Sequence, residues 1–219
     1  MRRRVSDDHG ATWGPIEPLI ETPGTVVRQP FVIAPDGAVL APLFLCRTAP
    51  GLAWVGDDDV AALAISRDGG ATWSAPIDTA LPNNNSSVQA IRLADGRVAM
   101  VHNWSSRRDA RERRLSLYDE IEDPEAGAAK PAGETRAFWG APRAPITLSI
   151  SNDGGRSWTS RHDLELGDGF CLSNNSRESR NRELSYPSIR QTCDGRVHVA
   201  YTWRRKAIRH LAFDIPAGP

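Results

Sequence analysis

An eight-residue motif occurs three times in this 219-residue sequence. The copies are SDDHGATW at 6–13, SRDGGATW at 66–73 and SNDGGRSW at 151–158, and all fit the pattern S-x-D-x-G-x-[TS]-W. The aspartate of each copy can accept backbone N–H bonds in a tight turn, and the glycine supplies the positive φ of such a turn. A motif that recurs in each structural unit serves that unit, so we interpret the repeats as structural turns. We expect the tryptophan that ends each copy to pack between neighbouring sheets.

A second repeat lies between the copies of the first. It is PDGAVLAPLF from Pro35, ADGRVAMVHN from Ala94 and CDGRVHVAYTW from Cys193, and a β-rich run precedes each copy. An Asp-Gly pair between two alternating segments is a strong hairpin signal. Strand, Asp-Gly turn, strand, strand, S-x-D turn and closing strand together make the four-stranded blade of a β-propeller. The sequence therefore predicts an all-β fold.

The spacing of the repeats predicts a single domain over 1–219. We expect 1–20 to end one blade, about 21–80 and 81–165 to form two whole blades, and 183–214 to form most of the last. These total about thirteen strands, whereas a six-bladed propeller needs about twenty-four. The sequence therefore predicts an incomplete propeller whose N-terminal blades are missing.

The charge balance indicates neither a nucleic-acid partner nor a membrane partner. Lys plus Arg and Asp plus Glu both total 27, so no net field draws the chain to a polyanion or an anionic surface. The basic cluster RRDARERR at 107–114 is short and interrupted by acids, which favours a solvated loop. No run approaches the roughly 20 apolar residues of a membrane span. The start carries no targeting signal, and the compartment stays open.

The cysteine pattern excludes two common kinds of site. Cys46, Cys171 and Cys193 are an odd number and show no CxxC spacing, which argues against a disulfide framework and a zinc site. We expect no metal and no cofactor. The sequence indicates nothing about the oligomeric state.

With these repeats, the chain resembles the BNR-repeat sialidases, and most closely the bacterial and plant group of sialidase-like BNR proteins. The most specific likeness lies in ELSYPSIRQTCDGRVHVAYTWRRKAIRH at 183–210. The resemblance implies a six-bladed, sialidase-type propeller. It also implies an exo-glycosidase, a hydrolase that acts on terminal acidic sugars of glycans.

The resemblance implies that Tyr186 is the nucleophile and Glu183 its base. A tyrosine nucleophile makes sialidases an exception to the usual pair of catalytic carboxylates. A phenol, with an ordinary pKa of about 10, is a poor nucleophile at neutral pH unless a carboxylate takes its proton. Residues three apart in a strand face opposite sides, so Glu183 must lie before the strand to reach Tyr186. The alternative is a buried strand tyrosine beside a solvated glutamate.

Arg143 opens RAPITLSISNDGGRSW, and sialidases place a carboxylate-binding arginine just before a strand that leads into such a turn. A guanidinium there would hold a sugar carboxylate through two parallel hydrogen bonds. The alternative is a surface loop arginine.

Further residues are expected to line the substrate pocket. Aromatic rings stack on sugar faces, arginines bind acid groups, and His102 could act as a base or as a structural hydrogen-bonding residue. A structural role stays open for each position. The expected substrate-binding residues are Arg28, Gln29, Asn85, His102, Asn103, Tyr201, Trp203, Arg204 and Arg205.

Three functions stay open, because sialidases keep a further arginine and the acid/base aspartate in N-terminal blades that we expect to be missing from this chain. The first is the exo-glycosidase. The second is a lyase on the same fold that cleaves uronate-containing polysaccharide by elimination, with His or Tyr as base. The third is a glycan-binding propeller without catalysis, or an inactive truncated product. In all three, the expected partner is an acidic glycan.

Overall fold

The computed structural model describes residues 1–27, 29–47, 51, 59–82, 84, 86–109, 141–167 and 183–216. Within these residues the fold is all-β, as predicted, apart from a short 3-10 turn at Arg107–Asp109. No helix in this part of the chain is long and apolar enough to cross a bilayer. The strands are β1 (Arg2–Arg3), β2 (Glu17–Pro18), β3 (Thr25–Val26), β4 (Val32–Ile33), β5 (Val39–Leu45), β6 (Val60–Ser66), β7 (Ile77–Asp78), β8 (Gln89–Arg92), β9 (Val98–Asn103), β10 (Ile146–Ser151), β11 (Ser160–Glu165), β12 (Leu184–Gln191), β13 (Val197–Trp203) and β14 (Ala207–Phe213).

Antiparallel pairing arranges these strands in four sheets that follow one another along the chain. The first sheet contains β1 and β2. The second has the order β3-β5-β6-β7, with β4 also paired to β5, the third has the order β8-β9-β10-β11, and the fourth β12-β13-β14. The third and fourth sheets are antiparallel meanders, and in the third a long connection joins β9 to β10. Closure of the sheets into a six-bladed propeller, and the boundaries of its blades, stay predictions.

Each copy of the eight-residue motif forms the same hydrogen-bonded turn. In the third copy, the Ser151 hydroxyl donates to Asp153 (2.7 Å) and accepts the N–H of Gly155 (2.8 Å). Asp153 also accepts the N–H and the hydroxyl of Ser157 at 2.8 and 2.6 Å. The other two copies contain the same bonds. The carboxylate of each motif is therefore occupied by its own turn.

The tryptophans that end the three motifs differ in burial. Trp73 packs on an apolar cluster that includes Ile20, and Phe31 meets its ring edge-on with centroids 5.1 Å apart. Trp158, from the third sheet, packs on apolar side chains of the second. Trp13 is 56% exposed. The expected packing between sheets is therefore confirmed for Trp73 and Trp158 and wrong for Trp13 within the described residues.

The largest apolar cluster joins the third sheet to the fourth. Full burial of one aliphatic side chain contributes about 1.5 to 3 kcal/mol, so this cluster fixes β12 against the third sheet. Its buried members are Leu93, Ala99, Val101, Ala144, Ile146, Leu148, Ile150, Leu184, Ile189, Val197, Val199 and Tyr201.

The ends of the strands form two opposite edges of each sheet, and different parts of the sequence form the turns at each edge. The Asp-Gly turns join β4 to β5, β8 to β9 and β12 to β13, and the motif turns join β6 to β7 and β10 to β11. Connections in an antiparallel meander alternate between two edges. The starts of β8, β10 and β12 and the ends of β9, β11 and β13 therefore lie at the opposite edge, which we call the loop edge.

Replacing Asp153 by Asn tests the contribution of the motif turn. Burial alone would raise the pKa of Asp153, but hydrogen bonds from Ser157 and Ser151 outweigh it and lower the pKa from 3.8 to about 2. Such a group stabilises the fold above its ordinary pKa, and this contribution disappears as the pH falls through about 2. After a discount for solvent screening, we expect Asp153→Asn to lower the free energy of unfolding by about 1 kcal/mol at pH 7. The loss should be much smaller at pH 2.

Urea unfolding of both proteins at pH 7 and pH 2 measures this difference. The matched control is Asn152→Ala at the next position, where the side chain makes one long bond of 3.5 Å to Thr159. Its effect should stay within about 0.5 kcal/mol. An equal loss for Asp153→Asn at both pH values would contradict the expectation.

Candidate active site

Glu183 lies at the loop edge, immediately before β12. It forms an isolated parallel bridge with Arg143, and the Leu184 N–H donates to the Arg143 carbonyl at 2.7 Å. Arg143 precedes β10 of the third sheet, whereas Glu183 leads into the fourth. The backbone therefore brings these two predicted residues together across the boundary between the sheets.

The Glu183 carboxylate is fully buried, and its donors include two guanidiniums and a hydroxyl. Its Oε1 accepts from Arg143 Nη1 at 3.4 Å, Arg205 Nε at 3.1 Å and the Ser185 hydroxyl at 2.9 Å. A buried carboxylate is stable only when opposite charges and hydrogen bonds replace its water shell. Two guanidiniums and a hydroxyl supply that replacement.

These neighbours also determine the charge of Glu183. Burial alone would raise the pKa of Glu183, but the charges of Arg143 and Arg205 and hydrogen bonds from Arg205 and Ser185 outweigh burial and lower it. The group is therefore an ionised carboxylate at neutral pH.

Tyr186 lies beside this cluster and is 56% exposed. The β12 pairing shifts register between Ser185 and Ser188, and Tyr186 has a φ of 51°. Such irregularities re-aim side chains and are common next to active sites. The Arg143 guanidinium carbon lies 5.5 Å from the centre of the Tyr186 ring. Arg143 therefore contacts both Glu183 and Tyr186.

Arg205 reaches Glu183 from a strained turn between β13 and β14. Arg204 and Arg205 have φ values of 52° and 54°, and the Lys206 N–H donates to the Trp203 carbonyl at 2.9 Å. The two central residues of this turn thus adopt the left-handed conformation that glycine and asparagine tolerate best. For arginine it costs on the order of 1 kcal/mol per residue, so surrounding contacts must hold it. One of them joins the Arg204 N–H to the Glu183 carbonyl at 2.9 Å.

A second, partly buried carboxylate lies near this turn. Glu165, at the end of β11, accepts hydrogen bonds from the Tyr201 hydroxyl, from Trp203 Nε1 at 2.8 Å and from Arg209 Nη1 at 2.9 Å. Burial, the hydrogen bond to Glu165 and the charge of Glu165 raise the pKa of Tyr201. The guanidinium carbons of Arg204 and Arg209 lie 4.5 and 5.8 Å from the Trp203 ring centre.

The sequence matches one known protein family over most of its length. The family described as a BNR repeat-like domain matches residues 43–199, which is most of the sequence. The chain belongs to this family. The matched range includes Arg143, Glu183 and Tyr186 and ends before Arg205.

Solved structures share the fold of this BNR repeat-like chain. The intramolecular trans-sialidase of Ruminococcus gnavus, in complex with oseltamivir carboxylate, is 15% identical with a TM-score of 0.55, covering 97% of this chain and 37% of that one. The K499G mutant of the NanB sialidase of Streptococcus pneumoniae is 16% identical with a TM-score of 0.55, covering 97% and 27%. A Dyadobacter fermentans protein of unknown function is 18% identical with a TM-score of 0.51, covering 96% and 47%.

The chain thus spans between about a quarter and a half of the length of these proteins. At such low identity the likeness shows a sialidase-like fold and leaves the chemistry open. No curated protein matches the sequence significantly.

Tyr201 and Trp203 of this BNR repeat-like chain are not placed as a sugar-stacking pair. Tyr201 is 1% exposed and its hydroxyl binds Glu165, so it cannot touch a substrate in this arrangement. Trp203 is half-buried, its indole N–H also binds Glu165, and two guanidiniums lie near its ring. Tyr201 is therefore occupied by a structural contact, whereas the substrate-binding role expected for Trp203 stays a prediction.

His102 and Asn103 are buried at the end of β9, where they are among the residues that line an apolar cavity between the second and third sheets. His102 Nδ1 lies 3.1 Å from the Asn103 carbonyl and Nε2 lies 2.9 Å from the Ser149 hydroxyl. Burial lowers the pKa of His102 to about 4. Asn103 Nδ2 donates to the Leu184 carbonyl at 2.9 Å, and its Oδ1 accepts from Ser86 at 2.8 Å. Asn103 therefore supports the start of β12, whereas both ring nitrogens of His102 are engaged within the third sheet.

The remaining predicted substrate-binding residues differ in whether the structure describes them and in where they lie. Arg28 and Asn85 lie outside the described residues. Gln29 is half-buried. Arg204 lies in the turn beside Glu183, where its guanidinium rests on Trp203.

Two residues of the site were not expected from the sequence. Ser185 could have been found, because alternation puts it on the same face of the strand as Glu183. Glu165 carries no such signal, since its partners lie 36 to 44 positions away in another sheet.

An apolar cavity reaches His102 and Asn103 at the end of β9. That cavity encloses about 50 Å³ between the second and third sheets and is lined mainly by apolar side chains such as Leu43, Leu63 and Met100. Among the described residues, no group of three His, Cys, Asp or Glu side chains could hold a metal ion.

Replacing Glu183 by Gln tests the ion cluster. The change leaves two guanidiniums facing a neutral amide, and removal of one partner from a buried ion cluster is strongly destabilising. We expect the free energy of unfolding at pH 7 to fall by about 2 to 4 kcal/mol. Because the lowered pKa stabilises the fold only above the ordinary range of a glutamate, the loss should shrink below pH 4.

Denaturant unfolding at pH 7 and pH 3 measures both effects. The matched control is Glu17→Gln, which removes a partly exposed ion pair with Arg3 at 3.2 Å. Exposed pairs contribute less than about 1 kcal/mol. Equal losses in the two variants would mean that Glu183 is not held as the structure describes.

Proposed function

We propose that this BNR repeat-like chain forms part of a sialidase-like exo-glycosidase that acts on terminal acidic sugars of glycans. The observation that carries the proposal is the arrangement of Glu183 between two guanidiniums, with the exposed Tyr186 against one of them. The similar fold of sialidases, one of them in complex with oseltamivir carboxylate, supports it. We also propose that the sheets belong to a six-bladed propeller.

Arg143 binds the sugar carboxylate in this proposal. Its side chain is 12% exposed and makes one long bond to Glu183, and its other N–H groups bind no other atom of the described residues. A guanidinium in this state can take a second carboxylate through two parallel hydrogen bonds. Arg205 is paired with the same glutamate and is the second candidate for this contact.

Tyr186 is the nucleophile and Glu183 its base. The phenol oxygen forms a bond to the anomeric carbon, its proton passes to Glu183, and the bond from that carbon to the glycosidic oxygen breaks. That oxygen takes a proton from an acid for which no residue of this chain is assigned.

The two arginines make Glu183 a weak base in the free protein, since they lower its pKa. A substrate carboxylate that draws Arg143 away removes part of this effect. The substrate itself then makes Glu183 a better proton acceptor, so binding and activation are coupled.

A binding propeller without catalysis is the second candidate. It is favoured by the low pKa of Glu183, because a carboxylate that stays ionised between two arginines orders those arginines without moving a proton. The lyase alternative is less well supported. Its histidine base would be His102, which is buried with both ring nitrogens engaged.

Replacing Tyr186 by Phe separates these functions. We expect hydrolysis of an aryl glycoside of an acidic sugar to fall by at least about 1000-fold, because the nucleophile is removed. Binding of the sugar should change little, since the ring and Arg143 remain. Single-turnover hydrolysis and calorimetric binding measure the two quantities.

Ser188→Ala is the control, because Ser188 is an exposed neighbour on the same strand. Unchanged hydrolysis by Tyr186→Phe would disprove the nucleophile assignment. Glycan binding by the unaltered protein without turnover would favour the binding propeller. A product with new ultraviolet absorption from an unsaturated sugar would favour the lyase.

A further inference from the structure

Glu165 joins the third sheet to the fourth through contacts that all end near one turn. It lies at the loop edge, and its side chain is 15% exposed. Its three donors, Tyr201, Trp203 and Arg209, belong to β13 and β14 of the fourth sheet. Both carboxylate oxygens are used, Oε1 by the indole and Oε2 by the hydroxyl and the guanidinium.

Trp203 connects this carboxylate to the Arg204–Arg205 turn. It is the last residue of β13, and its carbonyl accepts the Lys206 N–H that closes the turn. The Arg204 guanidinium rests on the Trp203 ring. Fixing the indole therefore fixes the first residue of the turn and the side chain packed on it.

The turn needs such support because of its backbone. Arg204 and Arg205 both have positive φ, which persists in non-glycine residues only where the surroundings impose it. The Arg204 N–H is held by the Glu183 carbonyl on one side. Glu165 acts on the other side, through Trp203.

A carboxylate at this place is not explained by stability alone. The apolar cluster already joins the two sheets, and well-packed apolar residues often stabilise as much as a buried ionic group, which loses its water shell. An ionic group adds direction, because it accepts hydrogen bonds only from donors in defined positions. The donors that Glu165 selects flank the turn that carries Arg205.

We infer that Glu165 is a positioning residue for the candidate active site. By holding Tyr201 and Trp203 it maintains the Arg204–Arg205 turn and directs Arg205 Nε toward Glu183. Its link to catalysis rests on the proposed function, whereas its effect on Arg205 does not.

The first experiment measures the position of Arg205 directly. In a ¹⁵N-labelled chain, the Arg205 Nε–H that binds Glu183 gives a side-chain signal, assigned by its absence in Arg205→Lys. We expect Glu165→Gln to shift this signal and speed its exchange with water by about tenfold or more, as a lost hydrogen bond would. Trp203→Phe keeps an aromatic side chain but removes the indole N–H. It should have the same effect on the Arg205 signal.

Asp163→Asn is the matched control. Asp163 lies two residues earlier on the same strand, and its carboxylate binds Thr147 and Arg161, both within the third sheet. The control loses a paired carboxylate of β11 without touching the fourth sheet. An Arg205 signal that is unchanged in both Glu165→Gln and Trp203→Phe, or equally changed in Asp163→Asn, would overturn the inference.

The second experiment measures turnover of an acidic aryl glycoside. A misplacement of about 1 Å can cost up to about 100-fold in rate, so we expect Glu165→Gln to raise KM and lower kcat/KM by about 10- to 100-fold. Glu165→Asp should recover part of this loss, and Asp163→Asn should match the unaltered protein. If the unaltered protein turns over no such substrate, the proposed function fails, and the Arg205 signal alone decides the role of Glu165.

Discussion

The ion cluster around Glu183 is the contact on which the loop edge depends. It ties together a segment before β10, the start of β12 and the turn after β13. Arg143 lies outside regular pairing except for its bridge to Glu183, and the Arg204–Arg205 turn adopts a backbone that arginine does not favour. The apolar cluster joins the two sheets, and the buried carboxylate fixes the side chains at the place where chemistry is proposed.

The order of strands was predictable because it depends on local signals. Asp-Gly pairs and motif turns fix hairpins between residues that are close in sequence, and the structure forms these hairpins wherever the repeats occur. The pairing of Glu183 with Arg143 was partly predictable, since both flank recognisable strands. The contact of Glu183 with Arg205 was not predictable, because it depends on a tight turn that has no glycine to mark it.

Burial was harder to predict than strand order. The strand VAMVHN at 98–103 is apolar on both faces, so alternation does not show which way His102 points. In β10 the alternation of ITLSIS predicts one solvent-exposed face of the strand, yet every residue is buried. Its polar side chains meet other polar side chains, as Ser149 meets His102 and Thr147 meets Asp163. Such contacts are decided by how sheets stack, and a single sequence holds little information about stacking.

The separation of the two edges has a consequence for how this chain can change. The repeated turns lie at one edge, and their carboxylates are hydrogen-bonded within the turns themselves. That edge therefore has a structural role. In the sequence, the segments 104–142 and 167–182 interrupt the repeats and lead into Arg143 and Glu183. Insertions within them fall outside the hairpins that the repeated turns close. A lineage that keeps the turns constant can therefore revise what the loop edge recognises while retaining the same scaffold.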